Sequence, residues 1–117
     1  MTNTDYAENV RFTAEMAVRR EESARAALVD VVTAGRQIDS YTLKPVMEAQ
    51  AKAQPWRQVL RRMEKAGAAK AVESVREDCM EVLMRGESQS TCAITNETDR
   101  LARDGARSFL QESRRMG

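Results

Sequence analysis

Histidine is missing from the 117 residues altogether, and with it the side chain most used for proton transfer near neutral pH and the commonest metal ligand. The two cysteines, Cys79 and Cys92, have no spacing partner of the kind that holds zinc or forms a redox pair, and read as reduced and incidental. The glycines stand at 35, 67, 86, 105 and 117, too dispersed for a phosphate loop or a dinucleotide fingerprint. Aromatic residues make up only 4%, prolines number 2, and β-branched runs are few, which argues against a sheet. No run of 18 apolar residues exists to cross a membrane, and the N-terminus lacks the basic start, apolar core and cleavage site of a secretory leader. The expectation is a cytoplasmic protein, with no membrane association, metal or cofactor.

What remains is strongly helical. Alanine (17 residues), arginine (15), methionine (7) and leucine are good helix formers, and the length suits a single helical domain over 1–117. Leucine, isoleucine, valine and phenylalanine together number only 20, so the core is thin, but a net charge of +1 is too small to hold the chain unfolded. The fold expected is a small all-α bundle of four to five helices.

A first helix is expected from Thr4 or Asp5 to Ala34, opened by the D-x-x-E pattern Asp5–Glu8 and stopped by Gly35. Val10, Ala14, Ala17, Ala24, Leu28 and Val31 follow a 3-4 alternation broken by Glu21, which marks a weak or solvated layer. That alanine-lined stripe is also a seam through which the long N-terminal helix could form a homodimer. A second helix is capped by Ser40 or Thr42, carries Pro45 early and ends before Pro55. A third starts at Pro55, with Trp56, Val59, Leu60 and Met63 on one side, and a break at Gly67 separates it from a helix ending near Gly86. Residues 87–98 read as a loop, with an extended piece at Thr91–Thr95. A last helix then begins around Asn96–Asp99, where Gly105 permits a close crossing, and the tail Arg114–Gly117 frays.

Charge divides the middle of the chain. Residues 52–70 carry +5 and residues 71–87 carry −3. The carboxylates Glu73, Glu77 and Glu81 recur every fourth position, but without histidine they lack the partners of a carboxylate metal site. The hydroxyls near Cys92 have no base beside them, so nucleophilic catalysis has little to work with and the chain is not expected to be an enzyme. The basic stretch could meet nucleic-acid phosphates, yet no helix-turn-helix fits around Gly35 or Gly67 and the pI near 7.8 opposes a broad basic surface.

Protein binding fits the charge layout and adaptable methionines better, with Trp56, Arg57, Arg61, Arg62 and Lys65 as contact residues on a larger protein or complex that could itself process nucleic acid. The alternative is a dimeric helical regulator that binds nucleic acid directly. In size and character alone, the chain resembles the small helical proteins that bacteriophages and mobile elements encode to block host assemblies, anti-CRISPR proteins among them. That resemblance implies an inhibitor of a larger complex.

Overall fold

The computed structural model describes residues 3–85 and 92–116, apart from the side chains of Asn3, Thr4 and Ile94. Four helices account for nearly all of them: α1 (Asn3–Thr33), α2 (Ser40–Ala66), α3 (Ala68–Met84) and α4 (Ala93–Arg115). No strand occurs among the described residues.

Because α1 starts at Asn3, Asp5 lies in its first turn and is not the capping residue expected from the D-x-x-E pattern; there its negative charge suits the positive helix end. Gly35 closes the helix as expected: at φ 73 it takes the left-handed conformation, and Arg36 N–H reaches back to Val31 O at 3.1 Å. Asp39, and not the expected Ser40 or Thr42, caps α2, its carboxylate accepting from Thr42 N–H at 2.8 Å and from Thr42 Oγ1–H at 2.7 Å.

The expected boundary at Pro55 is absent, since α2 runs unbroken through both Pro45 and Pro55. An interior proline costs about 3 kcal/mol and withholds an N–H from the carbonyl four residues back, here Ala51. Burial of Ala53, Trp56 and Val59 on either side of Pro55 offsets that cost. Gly67, at φ 84, does divide α2 from α3.

The helix starting at Ala93 also replaces the expected extended piece over 93–95 and brings the last helix forward by a turn. Of the rest of that piece, Cys92 is extended, at φ −83 and ψ 118; Thr91, the expected loop before it and the Gly86 stop lie outside the described residues. As far as Met116 the tail does not fray: α4 runs to Arg115, and Met116 is 9% exposed and belongs to the core.

The central element is α2, which packs against all three other helices, while α3 and α4 also pack on each other. α1 lies along α2 and meets α3 briefly, but the backbones of α1 and α4 stay apart, with no Cα pair within 8 Å. The ring of four helices is therefore open on one side. The radius of gyration, 16.0 Å, exceeds the 13–14 Å or so of a compact chain this long. At about 1.5 Å per residue, α1 alone spans most of the 50 Å long axis.

The core gathers Val10 and Ala14 of α1, Trp56 and Val59 of α2, Ala71, Val72, Val75 and Cys79 of α3, and Ala106 and Phe109 of α4. Trp56 meets Phe109 edge to face, with ring centroids 4.7 Å apart and planes at 67°. α4 reaches α2 through Gly105, where a Cβ would fall 2.4 Å from Ala51 O. This is the carbonyl that Pro55 leaves without its helical donor, so the close crossing expected at Gly105 is seated on the gap the proline makes.

Candidate functional site

The five expected contact residues, Trp56, Arg57, Arg61, Arg62 and Lys65, share one helix but not one surface. Trp56 is 2% exposed and its indole Nε1–H donates to Glu112 Oε2 at 3.2 Å, which satisfies the only polar atom of a core side chain. Removing an indole of about 200 Å² from water contributes on the order of 5 kcal/mol as an upper estimate. Of Trp56's two expected settings, core or interface, the structure shows core.

Arg57 faces Glu21, which is 1% exposed and not the solvated layer expected from its place in the α1 stripe. Its Oε2 forms an ion pair with Arg57 Nη2 but lacks an aligned hydrogen bond, and its Oε1 accepts from Arg25 Nη2 at 3.3 Å. A carboxylate taken out of water at this depth needs such compensation. The two guanidinium side chains remain 42% and 54% exposed, so the cations stay hydrated while the anion does not.

Arg62 is held as well. Its Nη1–H donates to Ser74 Oγ at 2.6 Å and its Nη2–H to Asp78 Oδ2 at 2.8 Å, pinning α2 to α3 across the Gly67 turn. Only Arg61 and Lys65 of the set project into solvent without an ion-pair partner among the described residues. The basic run of α2 is thus not a continuous strip of free cations, because two of its members join helices within the chain.

Arg103, which the sequence reading did not single out, is buried at 9% exposure and directs Nη1 to the carbonyls of Val82 and Leu83, each at 3.4 Å. It satisfies the orphan carbonyls at the end of α3, where a positive charge is also favoured by the helix dipole. No sequence signal points to this pairing, since it spans two helices.

Free surface of another kind lies around the α1–α2 turn. Val29 is 61% exposed, Val32 51%, Ile38 47% and Tyr41 84%. A second exposed apolar pair, Met80 and Met84, is one turn apart on the outer side of α3, interleaved with Glu77 and Glu81. Between α2, α3 and α4 runs a mostly apolar groove of about 540 Å³, with Met47, Pro55, Val75, Cys79 and Leu101 in its walls. Cys79 is buried in it, and burial, with a smaller contribution from the charge of Asp78, pushes its thiol up to about 11.

Among the described residues no three Cys, Asp or Glu side chains are grouped to hold a metal ion, and no helix is long and apolar enough to cross a membrane. The chain matches no protein-family model, no curated protein and no solved structure.

Proposed function

We propose that the protein is a non-enzymatic binding module that docks on a larger protein through the end of the molecule formed by the α1–α2 turn, and in doing so blocks that partner. The observation that carries this reading is the exposure of Val29, Val32, Ile38 and Tyr41 within one stretch of 13 residues. In a chain whose buried side chains are so few, large apolar groups left in water at one end favour a partner that covers them. Tyr41 is the natural anchor, being aromatic, 84% exposed and in the first turn of a capped helix. Arg61 and Lys65 stand near the other end of α2, about 30 Å or more from Tyr41 at about 1.5 Å per residue, and so outside this surface, while Trp56, Arg57 and Arg62 support the scaffold.

A second copy of the chain is a variant of the same reading. The dimer seam expected along α1 is partly used already, because Val10 and Ala14 are 0% exposed within one chain. Leu28 and Val31 farther along are only half-buried, so self-association would engage the C-terminal part of α1.

The test places a photo-cross-linking amino acid at position 41 in the source cell and identifies adducts by mass spectrometry. The expected result is one dominant adduct, lost when Val32→Ser and Ile38→Ser are combined and retained with Glu15→Gln as control. An adduct at the mass of two chains reports self-association. No adduct, or one indifferent to the double variant, refutes the proposal.

A further inference from the structure

On the side of the bundle where the backbones of α1 and α4 stay apart lies a cleft of about 430 Å³, within the range of small-ligand sites. α1 contributes Arg20, α2 contributes Lys52 and α4 contributes Arg115 to its walls, with Ser108 and Gln111 between them and Trp56 at the back. All three cations are exposed, and none has an ion-pair partner among the described residues. Two carboxylates also line the cleft, and both have other engagements: Glu112 accepts the indole N–H of Trp56, and Glu48 lies 3.9 Å from Lys44 Nζ.

We infer that this cleft binds a small molecule carrying a diphosphate or longer phosphate chain. Three like charges brought from three helices to one concave space raise the local potential; Glu48 is offset by Lys44, and Glu112, whose charge the indole N–H does not cancel, leaves an excess of two positive charges. A phosphate chain presents oxygens in several directions at once, which suits cations approaching from three sides. Guanidinium groups bind such oxygens in pairs, and the lysine ammonium adds a mobile point charge. Ser108 and Gln111 supply neutral hydrogen-bond donors to the same space. A carboxylate ligand of similar size is planar at each anionic group and lower in charge per volume, so it engages the three cations less completely. None of the side chains around the α1–α2 turn takes part, so the cleft stands or falls independently of the protein-docking proposal.

The experiment titrates the full chain with pyrophosphate, tripolyphosphate, orthophosphate and citrate, by isothermal titration calorimetry and by Trp56 emission. Saturable one-to-one binding of pyrophosphate is expected, about tenfold or more tighter than orthophosphate or citrate, and weaker as salt rises. Arg20→Gln, Lys52→Gln and Arg115→Gln should each weaken it about tenfold and together abolish it, while Arg19→Gln and Tyr41→Ser leave it unchanged. Circular dichroism checks that the triple variant keeps its helices, as expected for three exposed, unpaired side chains. Absence of saturable binding, binding that survives the triple variant, equal affinity for citrate, or preference of the same three residues for single-stranded nucleic acid would overturn the inference.

Discussion

Replacing Gly105 by alanine should lower stability, although the same change in a free helix raises it. Alanine is favoured over glycine by about 1 kcal/mol inside a helix, so propensity alone predicts a gain. The added Cβ, however, would lie 2.4 Å from Ala51 O, 2.8 Å from Ala51 C and 3.4 Å from Lys52 N. Carbon and carbonyl oxygen approach to about 3.3 Å at closest, so α4 must retreat from α2 by nearly 1 Å at this point. No flexible side chain can yield, because every atom met is backbone. Overpacking of this kind costs about 1–3 kcal/mol, and the retreat also loosens Leu101, Ala106 and Phe109 on the same side of α4. Taking the middle of that range, about 2 kcal/mol, and subtracting the propensity gain leaves a net loss of about 1 kcal/mol, or a fall in Tm of about 4–8 °C. Urea unfolding followed at 222 nm and by Trp56 fluorescence measures it. A Gly105→Ala protein as stable as the wild type, or more so, would refute the packing of α4 on the Ala51 carbonyl.

Three further outcomes follow from the same contacts. Glu21→Met should leave stability unchanged or raise it, whereas Arg57→Met, which strips the buried carboxylate of one cation, should cost about 2–3 kcal/mol, and the double variant should recover most of that loss in denaturant unfolding. A thiol reagent at pH 8 should titrate Cys92 alone in the native protein and both cysteines in urea, because Cys79 is buried with its thiol raised to about 11. The side chain and backbone of Thr42 hold Asp39 below its ordinary 3.8, so its carboxylate stabilises the fold above that value and the contribution disappears as pH falls through the lowered one; Asp39→Ala should therefore reduce the urea midpoint at pH 7, with the gap to wild type closing in strong acid.

The helical stretches and several of their ends were legible from local sequence, though not the continuity of α2 through Pro55. Helical spacing of Val10 and Ala14, or of Val72, Val75 and Cys79, is a property of neighbours along the chain, and positive φ at Gly35 and Gly67 needs no tertiary partner. Gly105 was legible for a similar reason, as a residue without a Cβ on an apolar helix face. What the charges do depends on how the helices meet. Glu21 sits in an apolar stripe, yet only the docking of α1 on α2 showed that it is buried and that Arg57 is its partner, and only the pairing of α2 with α3 committed Arg62 to Ser74 and Asp78. Local rules also placed a helix boundary at Pro55, and contacts from three neighbouring helices overrode it. A side chain's period is written in the sequence around it, whereas its exposure and its counter-charge depend on segments far away in the chain, which meet only once the bundle has closed around α2.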